Sequence, residues 1–347
     1  MSSAPPSPAS RPLRAAITAV GHFLPEERLT NHDLEGMVET NDEWIRTRTG
    51  IRERRILKDD GKATAHMATK AAEELLAKRD LDPAELDAIV VATVTPDMFF
   101  PSTACLVQDA IGAENAWGFD LSAACSGFLY ALTTGARFIE SGQHKNVLVI
   151  GADTMSSIVD YTDRTTCILF GDGAGAVLLE PTRDPVGVID TVHDVDGSKW
   201  DLLCMHGGGS LHPPTHDTVD EKMHYIHQEG RSVFRYAVTA MADACEDIMT
   251  RNELTGDDVR YLVPHQANKR IIDAAANRMG LSEDKVMLNI ERYGNTTAAT
   301  IPLCLYDWEG DLRRGDNLVL ATFGGGFTWG ASYLKWAYDG TGAVPSN

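Results

Sequence analysis

Residues 86–94 read LDAIVVATV, a run that carries apolar, mostly β-branched residues on both of its faces. A strand with one wet face alternates apolar and polar residues, whereas one apolar throughout belongs to a sheet covered on both sides. The stretch before it supplies one such cover. Residues 64–78, TAHMATKAAEELLAK, space Met67, Ala71, Leu75 and Leu76 at helical intervals, and turn chemistry follows at 80–86. The strand signature returns at 145–150 (KNVLVI), 166–170 (TCILF), 259–263 (VRYLV) and 317–322 (NLVLAT). Helical patterns lie between, notably at 125–140 and 269–279. Buried strands alternating with helices predict an α/β core whose sheets are covered on both faces.

The pattern also echoes itself. LDAIVVATVTPD is matched by VRYLVPHQAN, a strand running into a polar loop. TCILFGDGAGAVLLE is matched by LVLATFGGGFTWGASYL, in each case strand, glycine-rich turn, strand. The echo predicts a duplicated α/β unit with its seam near 180–190. A chain of 347 residues then divides into halves at 14–184 and 185–347, behind a Pro-, Ser- and Ala-rich leader at 1–13 that lacks an apolar signal core.

Composition narrows the function classes. Hydrophobic residues make up 43% and charged residues 23%, which is ordinary for a globular protein. The formal charge of −19 opposes nonspecific binding to nucleic acid. Any anionic substrate or partner must therefore meet a local basic patch. No apolar run reaches the ~18–20 residues that cross a bilayer, so no membrane association is expected. The six cysteines stand singly without a CxxC pair, and a core of this size needs no disulfides. Reduced thiols in the cytoplasm are the expectation.

Three residues stand where chemistry is expected. DLSAACSGFLYALTTGARFIE (120–140) puts Cys125 where a strand-like run ends and a helix begins. Unpaired N–H groups and the positive end of the helix dipole stabilise a thiolate there, and the small neighbours leave room for an acyl group. Cys105, Cys167, Cys245 and Cys304 sit in apolar helical or strand patterns and are read as core. VPHQAN (263–268) ends a strand and presents His265 in a loop, available as acid, base or hydrogen-bond donor. ERYGNTTAATIP (291–302) presents Asn295 before a further helix, an amide able to donate to a carbonyl oxygen.

Other features carry less. Gly171-Asp-Gly-Ala-Gly175 runs into another strand, AVLLE, not the helix that a dinucleotide fingerprint requires. Gly324–Gly326 suits close backbone approach to a ligand, with an N–H in an oxyanion hole. Histidines 206, 212, 216, 224 and 227, with Asp217 and Asp220, match no metal-binding spacing, so no metal is expected. Two basic runs flank the candidate segments: Arg46, Arg48, Arg52, Arg54 and Arg55, then Lys269, Arg270 and Arg278. In an acidic chain they are suited to phosphates or an acidic partner.

Taken together, TNDEWIRTRTGIRERR, DLSAACSGF, FGDGAGAVLLE, PHQAN, GNTTAATIP and FGGGFTWG resemble, in this order, β-ketoacyl-acyl-carrier-protein synthase III. The resemblance covers about 14–335. It implies the α/β thiolase-like fold, two similar halves forming a five-layered αβαβα core, and a homodimer. The implied reaction is condensation of an acyl-CoA primer, acetyl-CoA or another short one, with malonyl-acyl carrier protein to start fatty-acid synthesis; no cofactor is implied. Cys125 becomes the acyl-accepting nucleophile, and His265 and Asn295 bind the malonyl thioester carbonyl during decarboxylation. The N–H groups of Cys125 and Gly325 form the oxyanion hole, and Phe323 lies against the departing carboxylate. Trp44 and Arg48 hold the CoA adenine with Arg164 beside them, Asn268 lies along the pantetheine arm, and Phe170 lines the primer pocket. Phe100 is lent across the dimer interface, and Lys269 with Arg270 belong to the carrier-protein docking face. The loop at 204–227 is longer than the family pattern and lies near the acyl pocket. The alternative is a related acyltransferase or condensing enzyme of specialised metabolism. Retention of both His265 and Asn295 favours condensation.

Overall fold

Two sheets organise the chain, and the strand patterns locate most of their members. In the computed structural model, which describes residues 11–340, the first sheet comprises β1 (Arg14–Phe23), β2 (Ala88–Ala92), β3 (Trp117–Leu121), β4 (Val147–Asp153) and β5 (Gly173–Thr182). Of the expected leader, residues 1–10 lie outside the described residues. The second sheet comprises β6 (Gly187–Val195), β7 (Tyr261–Pro264), β8 (Asn317–Gly324) and β9 (Thr328–Lys335). The first runs in the order β1-β5-β4-β2-β3 and the second β6-β9-β8-β7. In each, a parallel pair (β2 with β4, β7 with β8) continues through two antiparallel strands. The counterpart of β3 has shrunk to one parallel bridge between Leu262 and Val286.

The main helices are α1 (Asp42–Thr49), α2 (Thr64–Arg79), α3 (Thr103–Ile111), α4 (Gly127–Glu140), α5 (Gly230–Arg251), α6 (Lys269–Arg278) and α7 (Thr300–Trp308). Strand periodicity sorts them into layers. Ala88 and Val90 of β2, with Leu318 and Leu320 of β8, face a central core filled by Phe128, Leu129 and Leu132 of α4 and Ile301 and Leu305 of α7. The alternate residues Ile89 and Val91 face Met67, Leu75 and Val107 of α2 and α3. Val319 and Ala321 face Met241, Cys245 and Ile272 of α5 and α6. The result is five layers, αβαβα. Contact between layers reaches backbone level where β1 meets α2: a Cβ on Gly21 would lie 2.3 Å from Ala71 O.

The duplication extends to the central helices. Each follows a 3₁₀ turn, Ala124–Ser126 before α4 and Thr297–Ala299 before α7. The first residue of each turn is non-glycine at positive φ, +47° at Ala124 and +53° at Thr297. Such backbone costs about 1–3 kcal/mol and persists where surroundings enforce it. The second half thus carries Ala298 where the first carries Cys125.

Three expectations are corrected. Residues 166–169 are turns, not a strand, and Phe170 makes only a single parallel bridge to Asn295. The Asp163 carboxylate accepts from Thr165 N and from the Thr165 and Thr166 hydroxyls, which coils the segment. Its apolar character serves burial instead, with Cys167, Ile168 and Phe170 packing against Ile45 and Ile51. Cys105 is exposed, not core. The loop at 204–227 holds order of its own: strands Leu203–Met205 and Ile226–Gln228 pair, and a short helix spans His216–Asp220.

Candidate active site

The turn carrying Cys125 is stitched to the β8–β9 hairpin. Thr322 Oγ1 donates to Cys125 O at 2.9 Å, Thr328 Oγ1 to Ala123 O at 3.2 Å, and Ser126 Oγ to Thr328 O at 3.1 Å. The thiol itself is enclosed, with Cys125 only 7% exposed. Burial pushes it up to about 12, the Asp153 carboxylate adds to the rise, and hydrogen bonds from its own amide and Asn295 pull the other way. The expected neutral-pH thiolate is therefore not the resting form, because lost solvation outweighs the help of the helix start. Alkylation by iodoacetamide is expected to quicken about tenfold per pH unit from 7 to 10, following the thiolate fraction. Intact mass against time at each pH measures it; a rate that levels off near pH 7 would contradict a neutral resting thiol.

Asp153, which the sequence reading passed over, is wholly buried at the end of β4. Burial raises its carboxyl to about 6, while bonds from Val94 N, the Thr95 hydroxyl, Ala298 N and the Thr93 hydroxyl hold it down. It braces the second turn against the first half.

His265 follows β7, its N–H donating to Ala321 O at 2.7 Å. Gln266 nails this loop down. Its amide donates to Pro264 O and Met287 O, and its Oε1 accepts from Asn289 N and Ile290 N. His265 Nδ1 lies 2.8 Å from Thr300 Oγ1, and Nε2 is buried with no partner. Burial lowers this imidazole to about 3, so it stays neutral across the working pH range. Asn295 is fixed by exchange with the turn at 169–171: its N donates to Leu169 O and its O accepts from Gly171 N. Its Oδ1 accepts from Thr297 N at 2.9 Å, which leaves the NH₂ to donate, and Asn295 helps hold the Cys125 thiol down against burial.

Cys125, His265, Asn295, Phe323, Gly325, Phe170 and Asn268 all line one cavity of about 550 Å³. The rest of its wall is largely apolar, with Met155, Ile158, Val233, Ala237 and Met241. Trp44, Arg48 and Arg164 gather outside that lining: the Arg48 and Arg164 guanidinium groups lie 5.0 and 5.4 Å from the Trp44 ring centroid. Asn268 ties them in by donating to Arg48 O at 2.9 Å.

Phe100 does not reach the cavity of its own chain and is 86% exposed beside Phe99. The first basic run is no single patch. Arg46 pairs with Asp42, and Arg54 is fully buried, donating to Leu29 O, Asn31 Oδ1 and Ile168 O. Lys269 is neutralised by Asp273, at 2.8 and 2.9 Å. Arg270 is exposed and lies 4.8 Å from the ring centroid of Phe234, a cavity residue. Exposed Arg231 and Arg235 stand on α5, the Arg235 guanidinium 5.6 Å from the Tyr236 ring centroid, and were missed by the sequence reading, although their spacing of four marks one helix face. Among the described residues no group of three or more His, Cys, Asp or Glu converges as metal ligands, and no helix is long and apolar enough to cross a membrane.

Comparison with known proteins places this arrangement. A model of 3-oxoacyl-(acyl-carrier-protein) synthase III matches residues 119–197, and a model of its C-terminal part matches 249–336. A β-ketoacyl-(acyl-carrier-protein) synthase III of Chlorobium chlorochromatii is 62% identical over 328 residues, covering 93% of this chain and 100% of that protein. One of Koribacter versatilis is 57% identical, covering 94% and 98%. Among solved structures, 3-oxoacyl-(acyl-carrier-protein) synthase III of Aquifex aeolicus superposes with a TM-score of 0.86 at 45% identity, covering 93% and 100%. The priming β-ketosynthase of the R1128 polyketide pathway gives 0.87 at 34%, covering 95% and 98%. With its cysteine, histidine and asparagine facing one cavity between duplicated halves, the chain belongs to the β-ketoacyl-acyl-carrier-protein synthase III family.

Proposed function

We propose that the protein primes fatty-acid synthesis, joining a short acyl-CoA, acetyl-CoA in the simplest case, to malonyl-acyl carrier protein. Cys125 attacks the primer thioester; CoA leaves as the thiol and the acyl group stays on sulfur. Malonyl-acyl carrier protein then loses CO₂, and the enolate attacks the acyl-cysteine to give 3-ketoacyl-acyl carrier protein. His265 and Asn295 hold the oxygen on which enolate charge builds, and the N–H groups of Cys125 and Gly325 hold the tetrahedral oxyanion. Phe323 crowds the departing carboxylate, Phe170 borders the primer, Asn268 follows the pantetheine arm, and Trp44 with Arg48 and Arg164 holds the adenine. The observation that carries this reading is the enclosed thiol sharing one cavity lining with a neutral imidazole whose Nε2 has no partner among the described residues and an amide whose Oδ1 is already taken by Thr297 N. Intact mass after acetyl-CoA, followed by malonyl-acyl carrier protein, tests it: a 3-ketoacyl product is expected. An acyl adduct that malonyl-acyl carrier protein leaves untouched would favour the acyltransferase of specialised metabolism.

The proposal extends to assembly. The halves divide at about residue 184, between the end of β5 and the start of β6. Edge strand β3 carries Trp117, 48% exposed and ringed by Phe119 and Phe138, which supports pairing with a second copy and insertion of Phe100 into its site. Six unpaired cysteines support a reducing, cytoplasmic setting. The acidic carrier protein docks on Arg231, Arg235 and Arg270 more than on the neutralised Lys269. Arg235→Glu with Arg270→Glu is expected to raise KM for malonyl-acyl carrier protein about tenfold or more while acetyl-CoA labelling barely changes. Steady-state kinetics at two salt concentrations check it, and unchanged carrier-protein kinetics would remove this docking face.

A further inference from the structure

A neutral imidazole carries one proton, and which nitrogen holds it decides what His265 offers to the cavity. His265 lines that cavity and its Nε2 is buried without a partner among the described residues, while Nδ1 on the other side of the ring lies 2.8 Å from Thr300 Oγ1. The Thr300 hydroxyl has a second neighbour, Thr297 O, at 3.1 Å. One hydroxyl hydrogen serves one acceptor at a time. When it points to Thr297 O, Nδ1 must carry the imidazole proton and donate to Thr300, and Nε2 shows the cavity a bare lone pair. When it points to Nδ1, the imidazole proton resides on Nε2, and Nε2–H becomes a donor.

The duplicated halves indicate that this hydroxyl is not there for packing. Thr300 is the first residue of α7, as Gly127 is of α4. His265 follows the end of β7 and corresponds to Ala92 of β2 by the register of each strand on its parallel neighbour. Gly127 abuts Ala92, a Cβ on it lying 3.1 Å from Ala92 Cβ. The fold therefore makes the same strand-to-helix contact twice, once between two groups without polar side chains and once between an imidazole and a hydroxyl.

We propose that Thr300 is a positioning residue that sets the His265 tautomer, its hydroxyl donating to Nδ1 so that Nε2–H points at the malonyl thioester oxygen. The inference rests on the condensing reading above, in which His265 must donate as negative charge builds on that oxygen. With Nδ1 supplied from behind, the ring keeps its single proton on the nitrogen that faces substrate, at a fixed angle. Thr300 touches no substrate and acts only through His265.

The test uses the full chain and three variants. Thr300→Val keeps the shape and removes the hydroxyl; Thr300→Ser keeps the hydroxyl and removes the methyl; Thr300→Ala controls for lost volume. Loss of the Nδ1 partner is expected to lower kcat for condensation about tenfold to a hundredfold in Thr300→Val and Thr300→Ala, with KM for malonyl-acyl carrier protein little changed. Thr300→Ser should return to within a few-fold of wild type. In ¹⁵N-histidine spectra of the wild type, the His265 resonance, assigned by its loss in His265→Ala, should show the proton on Nε2. Melting temperature and acetyl-CoA labelling report on folding and on Cys125 separately. Condensation by a folded Thr300→Val within threefold of wild type, a Thr300→Ser as impaired as Thr300→Val, or a proton found on Nδ1 would each overturn the assignment. A wild-type protein that takes no acyl group from acetyl-CoA would instead refute the condensing reading.

Discussion

Cys125→Ala is expected to abolish labelling by acetyl-CoA, whereas His265→Ala and Asn295→Ala should still take the acyl group yet form little ketoacyl product. The two half-reactions ask for different things. Acylation needs a sulfur nucleophile with room for the thioester, and of the two polar groups it is Asn295, not His265, that bears on the ionisation of the thiol in the resting site. Decarboxylation needs donors placed where charge develops, and removing one preorganised donor of this type costs ~3–4 kcal/mol, about 10²–10³ in rate. The rival is a cysteine-protease arrangement in which His265 is the base for Cys125. That rival gains force from a thiol held up to about 12 and from the unpartnered Nε2. It also predicts that acylation fails in His265→Ala. Mass spectrometry of each variant after brief exposure to acetyl-CoA decides, with CO₂ release from malonyl-acyl carrier protein measured in parallel. A folded but unmodified His265→Ala would sink the separation.

The legibility of fold and site in the sequence follows how local each feature is. β2, β4, β7 and β8 were readable because a strand apolar on both faces announces itself within a few residues. The run at 166–170 misled for the same reason: it is buried, yet a carboxylate three residues earlier coils it, and apolar composition cannot tell the two apart. Cys125 was readable from its own flanks, small residues between a strand and a helix. That it meets His265 and Asn295 was carried by the family resemblance, since no periodicity joins positions so far apart. Asp153 and Thr300 were not readable, because their partners Ala298 and His265 lie across the duplication or across the sheet. Lys269 had a local warning: Asp273 stands four residues on, the spacing at which a helix pairs opposite charges.

Gly324→Ala is expected to slow acylation of Cys125 about a hundredfold while the protein still folds, because the Cys125 turn is fitted against this glycine with no room for a side chain. Asp153 ends β4 paired with Gly173, and Gly324 ends β8 paired with Thr328, so the two occupy equivalent places. Asp153 reaches the second turn and accepts the Ala298 N–H at 3.2 Å. Gly324 brings no side chain to the Cys125 N–H, so that amide meets no carboxylate there, as the proposed oxyanion hole requires. A Cβ at Gly324 would lie 2.7 Å from Cys125 N and 3.1 Å from Cys125 Cβ, so the turn must move to admit it. The backbone there lies outside the left-handed region, so alanine meets no conformational penalty of its own. Overpacking of this kind costs about 1–3 kcal/mol of stability, a modest fall in melting temperature for a core of this size. Misplacement of the nucleophile by about 1 Å costs far more in rate, on the order of a hundredfold. Gly310→Ala is the control, since a Cβ there meets no atom within 4 Å. The rate of acetyl adduct formation, followed by intact mass at matched folded fraction, is the measurement. A Gly324→Ala variant acylated as fast as Gly310→Ala would mean that the open N–H and the fit of the turn are not what make Cys125 reactive.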